Sequence, residues 1–284
     1  MKMQWLAVAA LAVSPAIMLA ADGTFDKVLH VSGAVELNVT TGSGYIHVSP
    51  GSDSEVHIIG HVHANRWNGW GDGGGSPEDR LKEVVSNPPI EQSGNTITIG
   101  KHTSYHNISI DYDITTPRGT NLEAGSGSGD LRLTDIGGPL KANTGSGSIE
   151  ASGLSGRVVL ETGSGDIRAE MHAAPDVKAQ TGSGTIRLRG VTGGLYAETG
   201  SGDIEVEGQP GANWKLETGS GSVTLDTGGR AKFSLDATTG SGSVHSDPPI
   251  STHGSLERHH ITGDVNGGGP TVRIETGSGD VRIH

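Results

Sequence analysis

The chain has 284 residues, with 32 acidic against 20 basic side chains and no cysteine, which excludes disulfide staples and thiol chemistry and disfavours nucleic acid and anionic membrane surfaces as partners. Its 47 glycines and only 4% aromatic residues exclude a conventional core packed from large side chains. The glycines recur periodically between alternating apolar residues, which separates the chain from a disordered glycine-serine segment.

The N-terminus reads as a secretory signal over residues 1–21: one lysine, an apolar run from Trp5 to Val13, then small residues around Ser14-Pro15-Ala16 and again up to Ala21. An uncut anchor is the rival reading, since the run is just long enough to span a bilayer, but Pro15 and the single flanking charge favour cleavage. Cleavage leaves 19 basic against 32 acidic residues, a net charge of −13, and no stable membrane insertion is then expected. The missing cysteine also excludes a lipid-modified N-terminal cysteine.

Residues 22–121 read as an N-terminal β-region or cap. Val28, Leu29, Val31, Val35, Leu37 and Val39 alternate with polar residues, and Val56, Ile58 and Val62 continue the pattern with His57, His61 and His63 on the opposite face. A loop-helix insertion over 65–90 interrupts it. The glycine-rich stretch from Trp67 to Gly75 leads to Ser76 as cap, Pro77 at the first helical position and apolar Leu81, Val84 and Val85, and Asn87-Pro88-Pro89 stops this single short helix. Strands resume at Thr96–Ile99 and Ile108–Ile114.

Residues 122–284 read as a solenoid. The hexad Thr162-Gly163-Ser164-Gly165-Asp166-Ile167 recurs, with small changes, from Thr41, Ser126, Thr144, Thr181, Thr199, Thr218, Thr239 and Thr276, and a worn copy begins at His260. From Ser126 the starts are 18, 18, 19, 18, 19, 21, 21 and 16 residues apart, the signature of stacked repeats that bury an apolar face against their neighbours. Each coil carries two short strands. One points inward through residues such as Ile149/Ala151 and Ile167/Ala169, the other through Leu140/Ala142 and Val158/Leu160, with Ile136, Leu154 and Val191 at a corner and Trp214 in a core ladder. The glycine turns call for positive φ or close backbone approach. At ~4.8 Å per coil, roughly nine coils make a rod about 45 Å long. Taken in chain order, this scheme puts Val265 after a turn, sets Arg258 where an alanine or leucine is expected, and leaves the coil ending at Val281-Arg282-Ile283-His284 as a bare edge. Asp247-Pro248-Pro249 and the 21-residue spacings predict a loop excursion.

The repeated Thr-Gly-Ser-Gly-Asp-Ile at about 18 residues, preceded by the segment from Ile114 to Asp130 and by a strand region behind a signal, resembles the bacterial putative-adhesin family of uncharacterised β-solenoid domains. The resemblance covers most of the mature chain. It implies an exported or envelope protein of solenoid fold and carries over no active site.

Several motifs invite chemistry. Gly-Ser-Gly-Asp resembles calcium β-roll turns, but the acid stands only at Asp130, Asp166, Asp203, Asp264 and Asp280, with Ser148, Thr185, Ser222, Ser243 and Tyr45 in the same column, so a turn hydrogen bond explains it better than an ion needing several oxygens. The Gly-Ser-Gly turn lacks the lysine and following helix of a phosphate loop. The 13 histidines, with His57, His61 and His63 on one face and His253, His259 and His260 clustered, raise zinc or copper against the commoner reading of surface histidines. Trp67 and Trp70 are the candidate ligand contacts, able to stack on sugar rings or a partner surface, with folding back over the core end as the plainer reading. Asp130, Asp166 and Asp203 form a column, as acids do in glycan-active β-helices, but without a coupled acid, base and nucleophile.

The sequence is therefore read as an all-β, right-handed parallel β-helix of 18- to 19-residue coils with an N-terminal β-region containing one helix. Its expected role is non-catalytic binding or scaffolding in the cell envelope, in the periplasm or at the cell surface. No cofactor or catalytic residue is expected, and the expected partner is an envelope protein or polysaccharide. The acidic balance points to neutral or basic ligands, and the alternative is a glycan-active lyase or hydrolase.

Overall fold

The computed structural model describes residues 21–64, 76–100, 108–172 and 174–284. In chain order the N-terminal part runs β1 (Ala21–His30), β2 (Glu36–Thr41), β3 (Ile46–Pro50), β4 (Glu55–Ala64), α1 (Pro77–Ser86), β5 (Ile90–Ser93), β6 (Thr96–Ile99) and β7 (Ile108–Thr116). The regular array follows as β8 (Asn121–Ser126), β9 (Leu131–Thr134), β10 (Leu140–Thr144), β11 (Ile149–Leu154), β12 (Val158–Thr162), β13 (Ile167–Met171), β14 (Asp176–Thr181), β15 (Ile186–Val191), β16 (Gly194–Ser201), β17 (Ile204–Gly208), β18 (Trp214–Ser220) and β19 (Val223–Asp226). The chain ends in β20 (Phe233–Ser241), β21 (Val244–Ser246), β22 (Ile250–Glu257), β23 (His260–Val265), β24 (Thr271–Ser278) and β25 (Val281–Ile283).

Period-2 alternation pairs these strands into two long sheets, because a strand that buries every second residue must match its neighbour's register to keep that face inside. The 12-stranded sheet runs β1-β4-β7-β3-β9-β11-β13-β15-β17-β19-β25-β21, and the 13-stranded sheet runs β22-β23-β20-β24-β18-β16-β14-β12-β10-β8-β2-β6-β5. Along the array the pairing is parallel and in register, Ile149 beside Ile167 beside Ile186 beside Ile204 on one sheet and Leu140 beside Val158 beside Val177 beside Leu195 on the other. The core between the sheets consists of these aliphatic ladders, with the corner residues Ile136, Leu154 and Val191 fully buried. Trp214 is buried in its ladder, and its Nε1–H donates to the Gly193 carbonyl at 2.7 Å. The solenoid predicted from the repeat is the fold.

The order of coils at both ends departs from chain order. In space the coils run β6/β7, β2/β3, β8/β9, onward in sequence to β18/β19, then β24/β25, and lastly β20/β21. The final coil of the chain is thus enclosed between β18/β19 and β20/β21, and the expected bare edge does not exist: β25 pairs β19 on one side and β21 on the other. The worn hexad at His260 is not a turn. It is strand β23, antiparallel to β20, and Val265 is buried opposite Phe233. Arg258 occupies the tight turn between the antiparallel β22 and β23, which removes the anomaly of a cation in a ladder. The Asp247-Pro248-Pro249 stretch is the excursion that carries the chain from β21 into β22.

The N-terminal end mirrors this arrangement. Strand β4 extends one sheet antiparallel to β7 and β1 pairs antiparallel with β4, β5 extends the other antiparallel to β6, and Val28, expected on the half-buried alternation, points to solvent. Ser76 caps α1 by accepting the Asp79 N–H, and the helix packs on β1 and β4 with Val84 buried and Leu81 and Val85 against Gly23. Phe25 meets Tyr112 edge-on at 6.4 Å at the same end of the core.

The Thr-Gly-Ser-Gly turns are stitched coil to coil. The buried Thr144 hydroxyl donates to the Gly129 carbonyl at 3.0 Å and accepts the Gly147 N–H at 3.2 Å, and Thr162, Thr181, Thr199, Thr218, Thr276 and Thr239 donate in the same way. Each such bond contributes on the order of 1 kcal/mol. Glycine is required here by close approach: a Cβ on Gly147 would sit 2.1 Å from the Gly129 carbonyl oxygen. Positive φ occurs in this turn column at Gly221, Gly242 and Gly279, and at the opposite corner Asp135, Gly153 and Gly190 adopt φ of 54°, 68° and 72°.

Two outcomes are expected from this register. Ile167 is fully buried and Arg168 exposed, so Ile167→Asp should lower the urea-unfolding free energy by about 4 kcal/mol or more, whereas Arg168→Asp should change it by about 1 kcal/mol or less. Chain ends usually tolerate substitution. Because β25 is enclosed and Ile283 fully buried, Ile283→Asp should nevertheless destabilise to a similar degree as Ile167→Asp in the same measurement.

Candidate binding face

The outward residues of the 12-stranded sheet stand in columns because the strands share one register. The first column is Arg132, Glu150, Arg168, Arg187, Glu205 and Thr224; the second runs Thr134 and Ser152 and, past an irregularity in the β11–β13 pairing, Glu170, Arg189, Glu207 and Asp226. These columns line an open groove of about 490 Å³ that crosses six consecutive strands. Glu150 bridges Arg132 at 3.0 Å and Arg168 at 3.4 Å, Arg187 meets Glu205 at 3.0 Å, and Arg189 meets Glu207 at 3.6 Å.

Toward the N-terminus the same face becomes a checkerboard of histidine and aspartate, because β4 places its histidines opposite the acids of β1 and β7. Asp113 accepts from the Tyr45 hydroxyl at 3.0 Å and lies 3.1 Å from His61 Nε2 and 3.3 Å from His47 Nδ1. His57 pairs Asp26 at 2.7 Å. His63 lies between two carboxylates, its Nδ1 2.9 Å from Asp22 and its Nε2 3.1 Å from Asp111. A second groove, of about 510 Å³, joins Tyr45, His47 and Asp113 to Arg132 and Glu150 of the first. Partial burial, with the Asp113 hydrogen bond and charge adding to it, pushes the Tyr45 hydroxyl up to about 12.

On the outer face of the 13-stranded sheet, cations and acids pair one to one. Lys141 meets Glu123, Lys178 meets Glu161 and Lys215 meets Glu217, each at 2.7 Å, and Arg273 meets Glu275 at 2.6 Å. Tyr196 donates to Glu198 at 2.8 Å, and this bond, with some burial, holds its hydroxyl at about 12.

The aspartates of the glycine turns, with Asp111 of β7 in the same column, serve the backbone. Asp111, Asp130, Asp166, Asp203 and Asp280 accept the N–H of Tyr45, Ser148, Thr185, Ser222 and Ser243, at 2.8 to 3.0 Å. In spatial order acid and non-acid alternate through the ten coils of the described residues, each carboxylate reaching one coil onward. The turn hydrogen bond expected from the sequence thus runs between coils, and at Ser243 its pull holds the Asp280 carboxyl below the ordinary carboxylate range. Asp264 lies outside the column, on β23, and accepts the Ser234 hydroxyl at 2.7 Å.

Of the other expected site residues, Trp67 and Trp70 lie outside the described residues. His260 pairs Asp236 at 3.1 Å and His259 sits in the β22–β23 turn. Among the described residues, no three His, Cys, Asp or Glu side chains are arranged to hold a metal ion.

Residues 36–284 match the sequence profile of the Toastrack DUF4097 family. The chain belongs to this family. No curated protein matches it. The chain is similar to three bacterial crystal structures: a putative cell adhesion protein from Clostridium sporogenes (15% identity, TM-score 0.32, covering 93% of this chain and 99% of the other), a putative adhesin from Bacteroides fragilis (13%, 0.45, 92% and 97%) and a putative lipid binding protein from Parabacteroides distasonis (12%, 0.45, 91% and 96%).

For this Toastrack chain, sequence reasoning found the histidine face of β4 but missed its partners Asp22, Asp26, Asp111 and Asp113 and the Arg/Glu groove. The alternation of Asp111 and Asp113 with Ile110, Tyr112 and Ile114 marks the acids as outward, whereas their pairing with β4 depends on an antiparallel register no local pattern specifies. Both His63 nitrogens can donate only in the imidazolium form. The Asp22 hydrogen bond, aided by Asp111 and opposed by partial burial, raises its pKa above the ordinary 6.5. A raised folded-state value stabilises fully below 6.5, and the contribution is lost as pH rises through that raised value. An NMR titration should place His63 above 6.5, and Asp22→Asn should bring its midpoint down.

Proposed function

We propose that this Toastrack protein is an exported, non-catalytic binding or scaffolding module of the cell envelope. The observation that carries the reading is the groove face itself: polar side chains stand in register over six consecutive coils, so the surface offers evenly spaced contacts along a line, as an extended polymer or a long partner requires. The turn aspartates that could suggest glycan cleavage are committed to backbone N–H groups of the next coil, which favours a structural role for them. The N-terminal apolar segment supports export, and no helix among the described residues is long and apolar enough to cross a membrane. Trp67 and Trp70 are proposed as an additional ligand contact at the N-terminal end.

Incubating the mature chain with a panel of cell-wall and plant-type polysaccharides, while measuring both retention and product release, tests this reading. Retention without release is expected, weakened by Trp67→Ala with Trp70→Ala. Product release that disappears in Asp166→Asn or Asp203→Asn would replace it with a glycan-active enzyme.

A further inference from the structure

The groove is not electrostatically uniform. Arg168 and Arg187 stand directly opposite each other on neighbouring strands, an arrangement of like charges that destabilises a sheet unless it is neutralised. The other sheet has the same juxtaposition at Lys215 and Arg273, and there each cation has its own carboxylate at 2.7 and 2.6 Å. Arg168 has no such partner. It reaches Glu150 at 3.4 Å, and that carboxylate is already held by Arg132 at 3.0 Å. Arg187 engages Glu205 through Nε alone, so among the described residues its terminal nitrogens, which suit a planar carboxylate, are not hydrogen-bonded. Arg189 stands beside them with its carboxylate at 3.6 Å.

We infer that this groove binds an extended polysaccharide whose carboxylate seats on Arg168 and Arg187, with neutral hydroxylated sugars along the acidic residues to either side. The inference rests on the binding-module reading and names its ligand class. A bound carboxylate offsets the repulsion of the opposed guanidiniums and uses their vacant donors. One coil to either side stand Glu150 and Glu205 with Glu207, already ion-paired to groove arginines, so a polymer charged on every unit would compete with a fixed carboxylate next to each contact. Sugars carry several hydroxyl donors on every unit for those carboxylates, whereas an extended acidic peptide offers one backbone N–H per residue and turns every second one away from the groove. The groove crosses six strands, about 24 Å at ~4.8 Å per strand, long enough to hold several sugar units at once. The chain's overall acidity does not oppose this, because the cationic cluster is local.

The test measures retention of the mature full chain on a neutral glucan, on polygalacturonate, on gellan (one glucuronate among neutral sugars in each repeat), on carboxyl-reduced gellan and on a glutamate-containing Gly/Ser peptide. Gellan should be retained most strongly. Carboxyl reduction, Arg168→Gln or Arg187→Gln should each weaken retention by about tenfold or more, while Lys141→Gln on the opposite sheet leaves it unchanged. Retention indifferent to the arginine variants and to carboxyl reduction would overturn the inference and leave the binding-module reading standing. Stronger retention on polygalacturonate, or equal retention of the peptide, would also overturn it. Retention on none of the polymers, with circular dichroism showing a folded chain, would overturn both.

Discussion

The structure depends on how closely one glycine turn can lie on the next. Strand ladders fix the coil spacing, and at that spacing the turn carbonyls of one coil sit where a Cβ of the next would be, so the column admits only glycine at those steps. The buried threonine hydroxyl then links the coils by donating to the turn carbonyl of its neighbour, with Ser126 doing the same to Gly44. Carboxylates in the same column would stand about 4.8 Å apart if every coil carried one. Alternating them with Ser, Thr or Tyr avoids that repulsion and lets one acid serve the backbone of the coil beyond it.

Once the turns are packed, the faces are free to vary. Inward positions must be aliphatic, small or, at a few places, aromatic, as at Trp214 and Phe233. Outward positions carry no such demand, and the two faces differ: one neutralises its cations individually, the other shares its carboxylates and leaves guanidinium donors over. The sheets differ in cation type as well as in arrangement, with arginine along the groove and mostly lysine on the other face.

Much of this was legible before any coordinates. The hexad period, the inward ladders, the corner residues and the capped helix follow from glycine spacing, period-2 alternation and the Ser76-Pro77 signal, all of which are local. Coil order at the ends was not read correctly, because a repeat specifies what a coil looks like and not which neighbour it takes. One clue was nonetheless present. Ser222 and Ser243 in consecutive repeats break the acid alternation, and inserting the Asp280 coil between them restores it. The candidate face was less legible still, since its His/Asp pairs and its opposed arginines join residues through sheet register and chain reversal.

The displaced coils at both ends bear on how such a chain can change length over evolutionary time. Duplicating an 18- or 19-residue unit between Ser126 and Asp226 adds one layer and leaves both closures intact, provided units are gained in pairs so that the acid alternation continues. A unit appended after His284 cannot stack beside the coil that precedes it in the chain, since both neighbours of β25 are already taken. Lineages of this fold should therefore differ in the number of central repeats while keeping their first and last segments.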